Sequence, residues 1–356
     1  MKKIFALALC LCMLFAFVAC GDDDKTQDPT PVTPTTAEYK LGMGVVVSMD
    51  SSKTGNAQVD ATVATVVLDK DGKIVLCRID VAQNKMTVTD GAVDTTKTFE
   101  TKMELGDRYN MAAFGKPNVE GGTVKEWYVQ TKAFENYIVG MTAAQVAAIE
   151  TQTVNNHFIA VDEALLNAGC TMQITEFMDA VVKACNDEQG MTFTAVPGSF
   201  TLGVAAKSTA AESKAATEAA NGTVNMYSDF ACTVVADGKI LATLNDAIQP
   251  KITIDAAGEI VETEFKGTKR ELKEGYNMAA FGKPNVEGGT VLEWYVQSMA
   301  FSKHVLGMTA DQVDNMETKL VNNHHISVDE ALLSAGCTMQ ITGICDVVAQ
   351  AARYAR

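Results

Sequence analysis

The residues with the clearest chemical potential are two threonines, Thr171 and Thr338, each of which ends the sequence Ala-Gly-Cys-Thr. A helix is predicted to start four residues further on, so each hydroxyl would lie close to a helix N-terminus. Free backbone N–H groups and the positive end of the helix dipole make such a position suitable for a phosphate. Gly169 and Gly336 give the backbone the freedom to bring the hydroxyl to the surface. We therefore expect a phosphate-bearing group here, with capping or burial of the hydroxyl as the alternative.

Two further pairs of residues accompany the threonines. Cys170 and Cys337 precede them directly and could be redox partners of a bound group, although a Cys beside a Gly is more often a small buried residue. Trp127 and Trp294 could stack on an aromatic ligand, but their helical spacing favours packing in the core. The Gly-containing stretch 115–122 and its repeat predict loops that either lead into a helix or cover a ligand with backbone amides.

Composition and motif spacing exclude several other functions. The formal net charge of −15 and the isoelectric point near 4.7 argue against a nucleic-acid partner, because neutralising phosphates requires a basic face. The sequence has no CxxC pair, no GxGxxG or Walker pattern and no Ser/His/Asp arrangement, so haem, zinc-ribbon, nucleotide-binding and hydrolase interpretations fail. The four histidines lack the spacing of a helical metal site. We expect neither a metal centre nor a turnover enzyme.

The first elements predicted in each half, ahead of the helices, are strands. Segments 62–68 and 73–79 flank the turn Asp-Lys-Asp-Gly and predict a β-hairpin. Segments 85–89 and 96–103 predict two more strands. Because helical patterns follow these strands in each half, we expect an α+β fold in which helices pack on an antiparallel sheet.

Helix signals follow the strands. One face of a predicted helix carries Trp127, Thr131, Phe134 and Ile138. Thr-x-x-Gln capping boxes predict that the next helix begins at Thr142 in the first half and at Thr309 in the second. Thr175 and Thr342 are the predicted N-caps of the final helices. The Ala-rich stretch 207–220 predicts a helix found only in the second half.

An internal repeat organises the chain into two copies. Residues 109–130 return at 276–297 with a single change, and residues 154–175 return at 321–342 with 19 of 22 positions the same. The offset of 167 residues is the size of a whole domain, which indicates a tandem duplication rather than a solenoid. The predicted domains are 38–190 and 191–356.

The first residues indicate export and a lipid anchor. Two lysines, an apolar run and small residues before Cys20 are typical of a signal peptide, here 1–19. Phe-Val-Ala-Cys resembles a lipoprotein signal-peptidase site, in which the Cys receives diacylglycerol and becomes the new N-terminus. The run is short for a spanning helix. The acidic, Pro- and Thr-containing segment 20–37 predicts an extended tether.

The Ala-Gly-Cys-Thr blocks resemble the Ser-Gly-Ala-Thr block of FMN-binding domains, whose last threonine carries FMN through a phosphoester bond. Ala and Cys stand here where that block has Ser and Ala. The resemblance extends to the flavinylated lipoproteins of extracellular electron transfer in Gram-positive bacteria. Their motifs occur here in order at 40–44, 69–75, 104–111 and 126–130, with counterparts at 237–241, 271–278 and 293–297.

This resemblance implies an electron carrier with two tandem FMN-binding-like domains. FMN would be attached to Thr171 and Thr338 by a separate flavin transferase after export, and the redox chemistry would belong to the cofactor. The implied neighbours of FMN are Gly169, Gly336, Cys170, Cys337, Trp127 and Trp294. A membrane quinone oxidoreductase is the implied electron donor, and the carrier would be lipid-anchored at the extracytoplasmic face of the cell membrane.

The alternative from a different class is a cell-surface binding or structural lipoprotein that keeps this fold without flavin. A third interpretation, an enzyme with a noncovalent ligand between its domains, has no residue constellation to support it. Flavin fluorescence in the denatured protein band, after coexpression with a transferase, would separate the electron carrier from the binding module.

Overall fold

The computed structural model describes residues 35–356. The predicted signal peptide 1–19, the predicted lipidation site Cys20 and all but the last three residues of the predicted tether 20–37 lie outside this range. The first strand begins at Ala37. Within the described residues, no helix is both long enough and apolar enough to cross a membrane.

The described residues form fourteen strands and twelve helices, which confirms the α+β class. The strands are β1 Ala37–Ser48, β2 Asn56–Leu68, β3 Ile74–Thr87, β4 Thr151–Val154, β5 His157–Ala160, β6 Met191–Ala195, β7 Thr201–Thr209, β8 Gly222–Val224, β9 Tyr227–Ala236, β10 Lys239–Ile248, β11 Lys251–Ile254, β12 Ile260–Glu264, β13 Thr318–Val321 and β14 His324–Ser327. The helices are α1 Lys102–Leu105, α2 Met111–Phe114, α3 Trp127–Tyr137, α4 Ala143–Ala147, α5 Glu163–Ala168, α6 Thr175–Cys185, α7 Lys269–Leu272, α8 Met278–Phe281, α9 Trp294–His304, α10 Ala310–Asp314, α11 Glu330–Ser334 and α12 Thr342–Arg353. A 3-10 turn follows α1 at Gly106–Tyr109, and another follows α7 at Lys273–Tyr276.

Two antiparallel sheets carry the helices. The first has the strand order β3-β2-β1-β6 and the second β10-β9-β7. The predicted hairpin is confirmed as β2 and β3, and its turn is fixed by Asp69, whose carboxylate accepts the N–H groups of Asp71 and Lys73. Short sheets β8-β11-β12, β4-β5 and β13-β14 complete the strands of the described range.

The side chains of β2 alternate between two cores, as a strand covered on both faces requires. Odd-numbered residues from Ala57 to Val63 enter an inner core shared with the second sheet. Even-numbered residues from Ala64 to Leu68 enter an outer core beneath the helices of the first half. A second outer core lies between the second sheet and its own helices. Each sheet therefore has one face against the other sheet and one against helices.

The inner core joins the halves of the chain. It combines side chains from β1, β2 and β6 with side chains from β7, β9 and β10. Strand β3 lies beside β7, and β6 lies beside β10. Although β6 belongs to the predicted second domain, it pairs with β1. Residues 36–356 form one compact unit, and the domain boundary at 190/191 stays a prediction.

The helices pack closely on the sheets at two equivalent glycines. A Cβ atom on Gly42 of β1 would lie 2.1 Å from the carbonyl oxygen of Ala184 in α6. A Cβ atom on Gly203 of β7 would lie 1.9 Å from the carbonyl oxygen of Ala351 in α12. Glycine is thus required where each long final helix crosses its sheet.

Several local predictions are confirmed, and four are wrong. Both Thr-x-x-Gln capping boxes are present. Segment 85–89 is not a separate strand, because β3 runs without a break from Ile74 to Thr87. Segment 96–103 is not a strand, because Thr101 caps α1 in a capping box with Glu104. Segment 207–220 is not a helix, since its first residues extend β7 and pair with β9 while the rest forms turns. The final helices have Ile174 and Ile341 at the N-cap, one residue before the predicted threonines.

Two equivalent buried carboxylates hold the start of the helical region in each half. Asp80 accepts hydrogen bonds from the N–H groups of Val81 and Met103 at 2.7 and 3.1 Å. Asp246 accepts them from Ala247 and Arg270 at 2.8 and 3.0 Å. Burial raises the pKa of Asp80 to about 7 and that of Asp246 to about 6.

These raised pKa values predict lower stability at alkaline pH. Because an unfolded Asp has a pKa of about 3.9, the folded protein binds protons more tightly than the unfolded chain, and the resulting stabilisation is lost as pH rises through 6 to 7. We expect a higher urea midpoint at pH 5 than at pH 8. Asp80→Asn with Asp246→Asn should reduce this difference, because Asn keeps the acceptor without the charge. An unchanged difference in the double variant would contradict the assignment.

Candidate functional site

Thr171 is held by its backbone at the end of α5. Gly169 closes that helix with a φ of +97°, a left-handed conformation that suits glycine. The N–H of Thr171 donates to Oε1 of Gln130 at 2.9 Å, and its carbonyl oxygen accepts from Nδ2 of Asn118 at 2.9 Å. Thr171 lines an adjoining cleft, and its side-chain hydroxyl donates to Oε1 of Gln130 at 3.4 Å.

The cleft has a volume of about 510 Å³, within the range of small-molecule sites. Its lining includes Thr171 and Trp127 among the predicted site residues. Met172, Gln173 and Glu176 also line it, so the segment leading into α6 and the first turn of that helix face the cleft. The prediction that the threonine lies near the start of the final helix agrees with this placement.

The two nearly identical sequence blocks meet in this cleft. Eight of its lining residues come from block 109–130 and five from block 154–175. Every one of these thirteen residues has the same residue type at the equivalent position of the second half. The parts of the chain that agree best between the copies are therefore those that build the cleft wall. The loop at 115–122 covers one side of it, since Gly115, Lys116 and Asn118 are lining residues.

Charged and aromatic groups face each other inside the cleft. The Nζ atom of Lys102 lies 5.1 Å from the ring centre of Tyr109 and 5.5 Å from that of Trp127. Burial raises the pKa of Glu176, and the nearby charge of Lys102 opposes this increase. The Nε2 atom of Gln58 donates a hydrogen bond to Oδ2 of Asp60 at 2.6 Å. Its Oδ1 atom is buried and has no hydrogen-bond partner among the described residues.

Such a cleft fits an aromatic ligand that carries both an anionic group and a hydrogen-bond donor. Lys102 supplies positive charge, and the aromatic side chains Tyr109 and Trp127 supply apolar walls. Asp60 supplies an acceptor that costs free energy while it stays buried and unpaired. FMN has a phosphate, a ring system and an N–H group, so the residues present fit it.

The second half repeats the backbone arrangement around Thr338. Its N–H donates to Oε1 of Gln297 at 2.9 Å, and its carbonyl oxygen accepts from Nδ2 of Asn285 at 3.0 Å. Gly336 has a φ of +93°. Thr338 differs in exposure, because only 8% of its surface is accessible, whereas Thr171 is partly exposed.

The cysteines beside the two threonines are buried in the core and are not redox partners at the surface of the cleft. Cys170 and Cys337 are both fully buried, and burial raises the pKa of each thiol to about 12. Neither lines the cleft around Thr171. All six cysteines of the described range are buried and free of disulfides. A buried neutral thiol matches the interpretation of Cys170 and Cys337 as small core residues.

The two tryptophans combine core packing with a place at the site. Trp127 is 3% exposed and meets Phe177 edge to face at 5.8 Å between ring centres, yet it also lines the cleft. Trp294 is 4% exposed and lies 5.5 Å from Nζ of Lys269. The core-packing interpretation is thus correct for both, and it is compatible with contact to a ligand.

Three charged cleft residues were not predicted from the sequence. Lys102 follows the helix-capping Thr101, Asp60 lies on β2 and Glu176 lies on α6. The recurrence of Lys102 as Lys269 ahead of the repeated block is the one signal that could have identified it.

Comparison with protein-family models, with curated proteins and with solved structures finds no match to this chain. Within residues 35–356, no group of three or more His, Cys, Asp or Glu side chains is arranged to hold a metal ion. The features that point to a function are therefore the cleft and the sequence motifs that line it.

Proposed function

We propose that this chain is an electron-transfer lipoprotein that carries FMN covalently on Thr171 through a phosphoester bond. The observation that supports it best is the position of Thr171, which lines a cleft of about 510 Å³ that also contains a lysine and two aromatic rings. When bound, FMN would supply one- and two-electron redox chemistry. The protein's own part would be to hold, orient and shield the group.

Five cleft residues have definite tasks under this proposal. Gln130 and Asn118 fix the backbone of Thr171 from both sides, so the ester oxygen would be placed by the fold. Lys102 would offset negative charge on the ligand, and the buried Trp127 would limit the access of water to the ligand from the core side. Asp60 would accept a hydrogen bond from the ligand, which would give its buried Oδ1 atom a partner.

The wider setting is part of the same proposal. Lipid on Cys20 would anchor the protein at the extracytoplasmic face of the cell membrane, and a flavin transferase would attach FMN there. A covalent bond suits that location, because a loosely held cofactor would be lost by dilution. A membrane quinone oxidoreductase is the proposed donor. The resemblance implies FMN on Thr338 also, where the backbone hydrogen bonds are the same but the hydroxyl is buried.

The test is covalent flavin on the Thr171 peptide. The full chain is coexpressed with a flavin transferase and its substrate, separated on a denaturing gel and examined for flavin fluorescence and for the mass of FMN on that peptide. We expect labelling of wild type and of Thr171→Ser, which keeps the hydroxyl, and loss of the Thr171-peptide label in Thr171→Val. Thr175→Val, at the start of α6, is the matched control and should stay labelled.

An unlabelled wild-type band would contradict the proposal, provided that the same transferase labels a known substrate. That outcome would favour the alternative, a cell-surface binding lipoprotein with the same fold. The unpaired acceptor on Asp60 supports a ligand of either kind, since a noncovalent molecule with an N–H donor would satisfy it equally well.

A further inference from the structure

We infer that Tyr227 fills the second cleft with the chain's own side chain, so that the cleft around Thr171 is the ligand site and Thr338 is not. As far as it concerns FMN, this inference rests on the proposed function. As far as it concerns access to the two threonines, it stands on the geometry alone.

Strand register identifies Tyr227 as the counterpart of Asp60. The Leu-Gly pair of β1 recurs in β7, and Gly42 pairs with Val66 of β2 just as Gly203 pairs with Thr233 of β9. Neither pairing has a register shift between these positions and the strand ends. Six residues back along each second strand therefore lead to equivalent positions. Those positions hold Asp60 in the first half and Tyr227 in the second.

Tyr227 makes hydrogen bonds and a ring contact that have no counterpart at Asp60 in the first cleft. Its hydroxyl donates to Oδ1 of Asp229 at 2.8 Å and accepts from Nζ of Lys269 at 3.3 Å. Its ring centre lies 4.8 Å from the same Nζ atom. Lys269 is thus held by three aromatic rings, those of Tyr227, Tyr276 and Trp294, and is 8% exposed. The corresponding Lys102 has two rings beside it.

A matched exchange of acidic residues accompanies Tyr227. Glu176 on α6 corresponds to Gly343 on α12, while Thr62 on β2 corresponds to Asp229 on β9. A Cβ atom on Gly343 would lie 2.6 Å from Oδ2 of Asp229, so this carboxylate occupies the space of the missing side chain. The second half therefore has its acidic group on the strand instead of the helix, where it accepts a hydrogen bond from the hydroxyl of Tyr227.

The two halves therefore differ in whether the polar groups at these positions have hydrogen-bond partners. In the second half, the tyrosine hydroxyl, Lys269 and Asp229 satisfy one another. In the first half, Asp60 keeps a buried oxygen without a partner in the described part of the chain. A ligand that donates an N–H or O–H group can satisfy the first cleft, whereas it would have to displace Tyr227 from the second.

Thiol labelling tests access without requiring any flavin. Thr171→Cys and Thr338→Cys are each introduced into the full chain, and the folded proteins react with a bulky maleimide. The six native thiols of residues 35–356 are buried, and labelling is measured on the peptide that carries the introduced cysteine. We expect labelling at position 171 and protection at position 338. Adding Tyr227→Ala should speed labelling at 338 by about tenfold or more, which corresponds to about 1.4 kcal/mol of lost protection.

Two further variants keep this test decisive. Tyr227→Asp with Asp229→Thr introduces the first-half residues at these two strand positions, and it should open position 338 if the alanine variant fails to fold. Tyr295→Ala is the matched control, because this tyrosine lies on α9 with its hydroxyl turned to Glu274, and it should leave 338 protected. Equal labelling of Thr171→Cys and Thr338→Cys while Tyr227 is intact, or no gain from either Tyr227 variant, would overturn the inference.

Counting flavin separates this inference from the proposed function. After coexpression with a transferase, we expect one FMN per chain, on the Thr171 peptide, and a second on the Thr338 peptide only when Tyr227 is replaced. Two flavins on the wild-type chain would refute the role of Tyr227 while supporting the proposed function. No flavin at all would refute the proposed function, and thiol labelling would still decide the inference.

Discussion

Arg270→Ala is expected to lower the free energy of unfolding by about 3 to 5 kcal/mol, the usual cost of removing one partner from a buried ion pair. Arg270, on α7, lies 3.0 Å from Asp187, which follows α6 in the other half, and the two side chains are 6% and 8% exposed. The guanidinium also donates to the carbonyl oxygen of Gln189, and Asp187 accepts the N–H of Met43. Alanine would leave the carboxylate buried without its counter-charge.

Urea denaturation followed by circular dichroism measures this effect. The matched control is Lys273→Ala, because Lys273 pairs with Glu188 at 3.3 Å close to the same junction, but both side chains are exposed. Its expected cost is about 0 to 1 kcal/mol. Replacing Arg270 and Asp187 together by Met and Leu should recover much of the loss. If Arg270→Ala costs no more than Lys273→Ala, the buried pair does not hold the halves together.

Gly203→Ala should destabilise the protein by about 1 to 3 kcal/mol or more, because it overpacks the contact between β7 and α12. The added Cβ atom would lie 1.9 Å from the carbonyl oxygen of Ala351 and 2.7 Å from the backbone nitrogen of Ala355. Both are backbone atoms, so a side-chain rotation cannot relieve the overlap. The helix would have to move away from the sheet and open the second outer core.

The same change at an open glycine provides the control. Gly275 has no atom within 4 Å of an added Cβ and no positive φ, so Gly275→Ala should be neutral or slightly stabilising. Gly42→Ala, at the equivalent contact between β1 and α6, should behave like Gly203→Ala. A thermal melt of the three variants is sufficient. Equal midpoints for Gly203→Ala and Gly275→Ala would show that α12 does not rest on the strand.

Local signals in the sequence predicted the local parts of the fold. The hairpin of β2 and β3, the buried face of α3 and both Thr-x-x-Gln caps depend on residues close together in the chain. The stretch 207–220 was wrongly predicted as a helix because its alanines favour helix locally. Its first residues are instead held as a strand by pairing with β9, for example Lys207 with Asp229. Long-range pairing of this kind overrides propensity.

In the candidate site too, residues with a short-range sequence signal could be predicted and the others could not. Thr171 and Trp127 could be identified because they lie within repeated blocks, and the blocks build the cleft wall. Asp60 and Tyr227 could not be matched from the sequence alone, since the segments around them differ and only the pairing of β2 and β9 with their neighbours aligns them. The packing of the two sheets against each other also has no short-range signal.

The inner core has a consequence for the order in which the chain matures. Residues 37–87 leave the ribosome well before residues 201–248, yet the apolar inner face of the first sheet packs against the second. The inner face of the amino-terminal half therefore stays uncovered until the carboxyl-terminal half has been made. Long-range packing of this kind is slow, and an exposed apolar face favours aggregation. A gene shortened to a single repeat would encode a protein that never covers it.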